Sequence, residues 1–477
     1  MNRIVWSFFL VIMLGACARQ NPPPRVVGKW VGNLIINENV SLRVGCEVKL
    51  VADSLVATMA SIDQGAYGIE ISSIAVDTDT LMFTVNQMGV TYTGLFKSDT
   101  LIEGHFVQGG SPPMVLNFAR AESIPGEPPP RHQTPSKPYP YIEENVEFIS
   151  SITDMKLAGT LTYPKRGKNL PAVLLIPGSG PNDRDETIWG HKVFLVLADY
   201  LTRNGMVVLR LDDRGVGEST GDFGSASILD FADDAMEAVD YLKNRKDLPI
   251  AKIGLIGHSL GADIAPVAAN GNPAVDFIVL MAGSGINFVE TIHFQTEHIY
   301  SQRGAGREAI DLNRRINQTV FDIAATNKTR PEMEQALGQA FVKLSPELNN
   351  ISGEDRQKAE LPDSLRVKDY AGFFSEHMRI DLFHSPTNEL EKLNVPVLLL
   401  AGEKDTQISA ELNIPLMRAA LHKGGNDDFD VSVFPDVNHL FQTCSTGEVE
   451  EYNQIGETIA PKVLETMADW IKSKTGF

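Results

Sequence analysis

The sequence is poor in cysteine and in long apolar runs. Its 477 residues include three cysteines, Cys17, Cys46 and Cys444. There is no CxxC or HExxH pattern, so no metal site is indicated. Beyond residue 17 no run of about 18 apolar residues occurs, so no membrane-spanning helix is predicted there. We expect Cys46 and Cys444 to be two buried thiols rather than a bridge.

Positive charge is also scarce. The chain has 42 Lys and Arg residues against 61 Asp and Glu, a formal net charge of −19. This balance argues against nucleic acid as a partner. Hydrophobic residues make up 43% and charged residues 22% of the chain, as in an ordinary globular protein. The length is sufficient for two or three domains.

The N-terminal residues have the pattern of an export signal. Arg3 precedes an apolar run, residues 4–14, and then Leu14, Gly15, Ala16 and Cys17 follow. A basic start, a short apolar stretch and small residues at a cleavage site are typical of a signal peptide. The last four residues resemble the bacterial lipobox, which implies cleavage before Cys17 and a lipid on its sulfur; an ordinary signal peptide is the alternative. We therefore expect a protein exported to the bacterial cell envelope, lipid-anchored rather than membrane-spanning, and facing the periplasm.

Beyond the signal (residues 1–16), composition divides the chain into four parts. Residues 17–27 read as a tether. Residues 28–120 show a period of two with turn signals between the runs, which predicts about eight antiparallel strands in a small barrel or sandwich. The prolines of residues 121–141 predict an extended linker. Residues 142–477 alternate apolar strands with helices, which predicts an α/β three-layer fold.

Within the α/β part, the periodicity predicts eight strands and five helices. The strands are predicted at 146–149, 157–162, 172–176, 206–211, 253–256, 277–281, 397–400 and 431–434, and the helices at 191–203, 228–244, 260–269, 410–422 and 459–472. A polar, helical block, about 286–390, falls between two of the strands. We expect this insertion to form a cap over a site.

One short segment carries the main catalytic signal. Residues 257–261 read GHSLG, directly after an apolar strand and directly before an amphipathic helix. A GxSxG pattern in that context predicts a nucleophile elbow with Ser259 as nucleophile. Residues 217–221, GESTG, match the same pattern. There the preceding strand has already ended and a loop follows, so Ser219 is not favoured.

A serine nucleophile needs a base and an orienting carboxylate, which in this fold follow in the order acid, then histidine. Asp405 comes just after the strand at 397–400, and His439 lies between the last strand and the last helix. Both positions lie at the carboxyl ends of strands, where open α/β sheets build their sites. Glu403 is the rival acid. His258, next to the serine, is predicted to point away from the reaction and to be structural.

The negative oxygen of a tetrahedral intermediate needs two N–H donors. The N–H of Leu260, at the start of the helix, is the first. The second is expected from the loop at 177–180, PGSG, after the strand at 172–176. We expect the backbone N–H of Ser179 to supply it.

Three motifs in order carry a resemblance to a known family: PGSGPNDRD at 177–185, LDDRGVGEST at 211–220 and GHSLG at 257–261. Together they resemble the bacterial α/β-hydrolase carboxylesterases of the EstD-like type, which are related to serine-aminopeptidase-like hydrolases. The region 28–120 looks like the β-domain that precedes many exported members. The resemblance implies a serine esterase acting on short acyl esters, with no cofactor. It implies a triad of Ser259, Asp405 and His439, and loop-fixing ion pairs at Asp183, Arg184, Asp213 and Arg214.

Two other functions remain open from the sequence. The first is a serine peptidase acting on short peptides, whose charged terminus would need carboxylates such as Glu290, Glu297 or Glu376. The second is a binding lipoprotein with an inert hydrolase fold, against which the order of the triad argues. The expected partner is a small-molecule ester, and the oligomeric state stays open.

Overall fold

The computed structural model describes residues 25–37 and 40–477. The predicted signal peptide and lipidation site, Cys17, lie outside these residues. The chain divides into two compact units between Pro128 and Pro129. Within the described residues no helix has the length and apolar character needed to cross a bilayer. Cys46 and Cys444 are both free thiols; the first is buried and the second half-buried.

The N-terminal unit is one antiparallel sheet. Its strands are β1 (Gly28–Asn37), β2 (Val40–Val51), β3 (Ser54–Ser61), β4 (Ala66–Glu70), β5 (Ser73–Asp77), β6 (Thr80–Val85), β7 (Val90–Ser98), β8 (Leu101–Gln108) and β9 (Met114–Ala121). The order is β4-β3-β2-β1-β9-β8-β7-β6-β5, because β1 pairs with both β2 and β9. The prediction of a small all-β domain is confirmed, as a single nine-stranded half-barrel sheet.

Side chains from one face of this sheet form its apolar core. Buried and exposed residues alternate along β7, as expected for a strand with one wet face. The ring of Tyr92 stacks on Phe83 with 4.9 Å between centroids. A Cβ on Gly94 or on Gly104 would lie 2.4 or 2.5 Å from the Tyr92 hydroxyl oxygen. Glycine is needed at this facing pair because the tyrosine ring occupies the space.

The C-terminal unit is built on a mixed sheet. Its strands are β10 (Ile142–Ile149), β11 (Lys156–Tyr163), β12 (Leu170–Ile176), β15 (Val207–Leu211), β16 (Ile250–His258), β17 (Phe277–Met281), β18 (Val397–Gly402) and β19 (Phe429–Phe434), with β13 (Thr187–Ile188) and β14 (His191–Lys192) in a separate ribbon. The order is β10-β11-β15-β12-β16-β17-β18-β19. The six strands from β15 to β19 in this order are parallel, whereas β10 and β11 run antiparallel.

Helices cover both faces of this sheet. The helices of the unit are α1 (Val193–Arg203), α2 (Ile228–Asn244), α3 (Leu260–Gly271), α4 (Phe288–Gln302), α5 (Arg307–Ala324), α6 (Arg330–Asn350), α7 (Gly353–Lys358), α8 (Val367–Tyr370), α9 (Glu376–Phe383), α10 (Pro386–Leu390), α11 (Ala410–Lys423) and α12 (Pro461–Thr475). One face packs on α1 and α12, and the other on α2, α3 and α11. The predicted α/β-hydrolase three-layer fold is confirmed.

The helices α4 to α10 lie between β17 and β18 in the chain. The stretch from α4 to α9 forms an apolar cluster of its own, to which Leu312, Phe321, Leu337 and Phe341 contribute, whereas Leu390 of α10 packs in the layer of α2, α3 and α11. Because this cluster is separate from the two layers beside the sheet, the insertion is a distinct helical layer of the unit.

The proline-rich segment that enters the C-terminal unit packs on it. The guanidinium of Arg131 donates to the carbonyl oxygen of Asn453 at 3.0 Å. The side-chain amide of Gln133 donates to the carbonyl oxygen of Ile459 at 2.7 Å. The segment 129–141, which contains a turn closed by the hydrogen bond from Thr134 N–H to the carbonyl oxygen of Arg131, is therefore held by polar contacts to the segment that leads into α12.

Candidate active site

The turn between β16 and α3 presents Ser259. Its backbone has φ +53° and ψ −118°, a strained conformation for a residue with a side chain. A Cβ on Gly257 would lie 2.0 Å from the carbonyl oxygen of Gly261, and one on Gly261 would lie 2.1 Å from that of Ile176. Strand, turn and helix thus pack too closely for any side chain at these two positions. This is the geometry expected of a nucleophile elbow.

Asp405 and His439 lie in the loops that follow β18 and β19. Nδ1 of His439 is 2.8 Å from Oδ2 of Asp405, and both side chains are buried. The other carboxylate oxygen accepts the backbone N–H groups of Gln407 and Ile408, each at 2.8 Å. Because both oxygens have fixed partners, the carboxylate holds the imidazole in one orientation.

The ring of His439 lies beside the elbow. His439 accepts, through its backbone carbonyl, a hydrogen bond of 3.0 Å from Nε2 of His258, the residue before Ser259. The two histidine rings have centroids 5.1 Å apart. Within the described residues, the Ser259 hydroxyl and Nε2 of His439 are hydrogen-bonded neither to each other nor to another group. Such catalytic hydrogen bonds commonly tighten only when substrate is bound.

Two backbone N–H groups beside Ser259 are unengaged. In the part of the chain that the structure describes, neither Leu260 nor Ser179 donates its N–H to a hydrogen bond. A Cβ on Gly178 would lie 3.3 Å from Cβ of Ser259, so the loop carrying Ser179 lies against the serine. These two donors are available for a developing oxyanion.

Asn182 fixes the loop that carries Ser179. Its side-chain amide donates to the carbonyl oxygens of Gly178 and Gly180, at 2.9 and 2.7 Å. Its own N–H donates to Oδ2 of Asp213 at 2.9 Å. Burial raises the pKa of Asp213 to about 7, although the hydrogen bond from Asn182 opposes that shift. Asp213 is therefore part of the scaffold that shapes the loop.

The other charged residues of the family motifs also hold loops. Nη2 of Arg184 lies 2.6 Å from Oδ2 of Asp212, and Nε of Arg214 lies 2.8 Å from Oδ2 of Asp234. Asp183 instead accepts the backbone N–H groups two and four residues further on, at 2.9 and 3.2 Å. Among the described residues no group of three or more His, Cys, Asp or Glu could hold a metal ion.

The two alternative residues, Ser219 and Glu403, differ from Ser259 and Asp405 in their contacts. Ser219 is buried, and its hydroxyl donates to the carbonyl oxygen of Asp212 at 2.8 Å and accepts the N–H of Ala158 at 2.9 Å. Both capacities of this hydroxyl are thus in use. Glu403 is exposed, whereas Asp405 contacts the histidine.

A buried carboxylate that the sequence did not single out lies under the site. Glu186 is completely inaccessible to solvent. Its Oε1 accepts the N–H of Gly178 at 2.9 Å and lies 2.8 Å from Nδ1 of His258. The sequence offered no signal for it, because Glu186 follows Asp183 and Asp185 in one acidic run and only the fold decides which carboxylate turns inward.

The first cap helix, α4, is tied to both loops of the catalytic pair. The side-chain amide of Gln295 donates to the carbonyl oxygen of Gln407, two residues after Asp405, at 3.2 Å. Nε2 of His298 lies 2.9 Å from Oε1 of Glu448, in the segment that follows His439. The first helix of the insertion is therefore anchored to the segments that follow Asp405 and His439.

A small cavity adjoins the elbow. Its volume is about 50 Å³, and it borders Gly178 and Leu260, which lie on either side of Ser259. The rest of its wall combines apolar side chains, among them Leu157, Leu174, Leu211, Phe223, Phe231 and Ile264, with the charged residues Asp212, Asp213, Arg214 and Asp234. One water-sized group needs about 10–15 Å³ on this scale, so the cavity holds roughly three to five such groups.

Comparisons with known proteins match the site-bearing unit. Residues 191–287 match the model of the serine aminopeptidase family S33, and residues 363–474 match that of the dienelactone hydrolase family. Esterase EstD of Thermotoga maritima is 28% identical over 332 residues, which cover 69% of this chain and 69% of that protein. An esterase structure from Pyrococcus furiosus superposes with a TM-score of 0.41 at 16% identity, over 73% of this chain and 97% of that one. Est1E of Butyrivibrio proteoclasticus with bound ferulic acid gives 0.38 at 16% identity, over 68% and 96%.

The mixed sheet, with Ser259 at its strand–turn–helix junction, defines an α/β-hydrolase. In sequence the chain is similar to α/β-hydrolase esterases of the EstD-like type, and it carries an N-terminal β half-barrel domain. It is a carboxylic ester hydrolase by homology. The predicted resemblance and the predicted class of enzyme are thereby confirmed.

Proposed function

We propose that this esterase cleaves short-chain acyl esters through an acyl-enzyme on Ser259. The observation that carries the proposal is the convergence at one elbow of a strained serine and a buried Asp405–His439 pair, linked at 2.8 Å. Three residues far apart in the chain supply the nucleophile, the base and the orienting acid that acyl transfer requires.

The steps follow from these roles. Nε2 of His439 takes the proton of Ser259 as the serine oxygen attacks the ester carbonyl carbon, and Asp405 stabilises the imidazolium that forms. The N–H groups of Leu260 and Ser179 donate to the carbonyl oxygen as it becomes negative. The C–O bond to the alcohol then breaks, and His439 returns the proton to the leaving alkoxide. Water, deprotonated by His439, releases the acid and restores the serine.

The cavity beside the elbow supports a short acyl chain. It borders Gly178 and Leu260, the neighbours of Ser259, and its volume of about 50 Å³ accommodates roughly three to five water-sized groups. An acetyl or butyryl group matches that size, whereas a long acyl chain does not. The leucine, isoleucine and phenylalanine side chains of its wall suit an apolar acyl tail.

A chain-length series tests the proposal. We expect kcat/KM to be highest for the p-nitrophenyl ester of acetate or butyrate, and to fall for octanoate and palmitate. A fluorophosphonate should label one serine, identified by mass as Ser259, and labelling should be absent in Ser259→Ala. A maximum at octanoate would overturn the short-chain preference. If the folded wild type shows no turnover and is not labelled, the function itself is overturned.

The match of residues 191–287 to a serine aminopeptidase model favours one alternative, cleavage of aminoacyl amides by the same triad. Such substrates need an uncompensated carboxylate for their ammonium group. Among the cap candidates, Glu297 already pairs with Arg307 and Arg314, at 2.6 and 3.2 Å. Comparing turnover of leucine p-nitroanilide with that of p-nitrophenyl butyrate decides the question. We expect the ester to be preferred, and the reverse preference would assign a peptidase.

We also propose that the enzyme is exported and anchored through a lipid on Cys17. The support is the signal-like pattern of residues 1–16 followed by the lipobox-like residues 14–17. Expressed in a bacterium, the wild type should partition into the detergent phase of a Triton X-114 separation. Cys17→Ser should remain in the aqueous phase, and equal partition of both would contradict the anchor.

A further inference from the structure

The buried pair under the elbow links two parts of the proposed machinery. His258 is 2% exposed and Glu186 is 0% exposed. One ring nitrogen of His258, Nε2, faces the carbonyl oxygen of His439 at 3.0 Å, and the other, Nδ1, faces Oε1 of Glu186 at 2.8 Å. The same Oε1 accepts the N–H of Gly178 at 2.9 Å. The chain of contacts therefore runs from the oxyanion loop, under Ser259, to the backbone of the catalytic histidine.

The hydrogen-bond partners determine how many protons His258 carries. Oε1 of Glu186 is an acceptor because it takes the N–H of Gly178, so Nδ1 must donate to it. The carbonyl oxygen of His439 is also an acceptor, so Nε2 must donate as well. A histidine that donates from both nitrogens is an imidazolium, and Glu186 is the carboxylate that balances its charge.

We propose that Glu186 and His258 form a buried, charged positioning pair for the esterase reaction. Its role is to fix the loop of Ser179 and the backbone of His439 relative to Ser259. Neither side chain is assigned contact with substrate, so both are positioning residues. The inference rests on the proposed function, because positioning has meaning only if Ser259, His439 and Ser179 act as described.

Charge and backbone geometry support this role. Burial alone would lower the pKa of His258, but the charge of Glu186 and its hydrogen bond raise it above the ordinary value. Because Glu186 compensates the imidazolium, the pair does not oppose the positive charge that His439 gains during catalysis. Glu186 itself is held at φ +48°, and its Oε2 has no partner among the described residues. A carboxylate is thus retained in a strained, partly unsatisfied position directly beneath the site, where strain commonly marks function.

Glu186→Gln tests the pair, because glutamine keeps the shape and removes the charge. His258 then loses its second proton and one of its two bonds. Misplaced catalytic groups cost up to about 10²-fold in rate, so we expect kcat for p-nitrophenyl butyrate to fall by about that factor while KM changes little. Labelling of Ser259 by a fluorophosphonate should slow in parallel. Glu186→Asp, which keeps the charge on a shorter side chain, should recover part of kcat.

The matched control is Asp199→Asn. Asp199 is a half-buried carboxylate of the same unit that binds Tyr141 at 2.9 Å and Arg203 at 2.8 Å, outside the site. This variant should keep the wild-type kcat even if its melting temperature falls. A folded Glu186→Gln variant with wild-type kcat would overturn the proposal.

A second measurement needs no variant to fold. In the wild type labelled with ¹⁵N-histidine, His258 should show both ring nitrogens protonated at about pH 8, where an unperturbed histidine is neutral. A neutral His258 at that pH would overturn the proposal. Absence of ester turnover and of labelling in the folded wild type would instead refute the proposed function, so the two failures are distinguishable.

Discussion

The two GxSxG segments of this chain share one pattern, but their glycines and serines have different structural roles. In residues 257–261 the serine itself has positive φ, +53°, and the two glycines are required because backbone atoms lie about 2 Å from where their Cβ would be. In residues 217–221 the glycines have the positive φ values, +55° and +110°, and the serine is hydrogen-bonded to the backbone. Glycine thus supplies space in the first segment and backbone freedom in the second.

The second segment also supports the first. Ser219 holds the backbone carbonyl of Asp212, and the next residue, Asp213, accepts the N–H of Asn182. Asn182 in turn holds the carbonyl oxygens on either side of Ser179. One segment therefore presents the proposed nucleophile, and the other belongs to the scaffold that shapes the loop of Ser179.

Exchange of the two serines by alanine gives the largest contrast. Ser259→Ala should lose about 10⁴-fold or more in kcat, because the nucleophile is gone. Ser219→Ala should keep a kcat close to that of the wild type, because its hydroxyl only binds backbone groups. Steady-state turnover of p-nitrophenyl butyrate by both folded variants measures the difference. A Ser259→Ala enzyme with wild-type turnover would reverse the assignment of the two segments.

The next largest contrast is between Gly261→Ala and Gly217→Ala. Gly261→Ala places a Cβ against backbone oxygens of residues 176 and 177, which cannot yield without moving the oxyanion loop, and we expect kcat to fall by about 10²-fold. Gly217→Ala meets the side chain of Asp212 and a positive φ, which costs about 1–2 kcal/mol of stability. Kinetics combined with urea unfolding separates the two outcomes. Equal losses of kcat in the two folded variants would contradict the comparison.

The two serine variants should rank in the opposite order for stability, with the larger loss in Ser219→Ala. Ser219→Ala leaves the buried N–H of Ala158 without its acceptor, so the free energy of unfolding should fall by about 1–3 kcal/mol. Ser259→Ala removes a hydroxyl that has no hydrogen bond in the described residues, and it should stay within about 0.5 kcal/mol of the wild type. Urea titration of both proteins measures this; a larger loss for Ser259→Ala than for Ser219→Ala would be inconsistent with the structure.

A further contrast is a pH dependence of stability through Asp213. Its folded-state pKa is about 7, above the ordinary value of 3.8. Between these values the folded state keeps a proton that the unfolded state has released, so the contribution of Asp213 to stability falls as pH rises through this window. Asp213→Asn should remove that slope, whereas Ser219→Ala should keep it. Unfolding free energies across the window test the difference, and an unchanged slope in Asp213→Asn would refute the role of this carboxyl.

Periodicity alone predicted most elements of the α/β unit. The predicted strand at 277–281 and the predicted helix at 228–244 coincide with β17 and α2, because apolar runs buried on both faces and amphipathic helices leave strong local patterns. The helix predicted from residue 191 begins at Val193 instead, since His191 and Lys192 pair in the ribbon of β13 and β14. Each strand of that ribbon has only two residues, which is too short for a period to show in the sequence.

In the N-terminal unit the period of two predicted strands but not their arrangement. It suggested about eight strands in a barrel or sandwich, whereas the structure has nine in one half-barrel sheet. Alternation reports only that each strand has a wet and a dry face. The pairing of the first strand, β1, with the last, β9, is a long-range contact that alternation does not encode.

The sequence by itself determined which residues stand at the ends of strands, because the pattern of strand, glycine and helix depends on neighbouring residues. It therefore determined that Ser259, Asp405 and His439 could meet. Only the tertiary structure decided that Glu186 turns inward to His258 and that Asn182 joins the oxyanion loop to Asp213. The physical reason is that a buried polar group must find its partner wherever the folded chain brings one, and those partners lie 72 and 31 residues away.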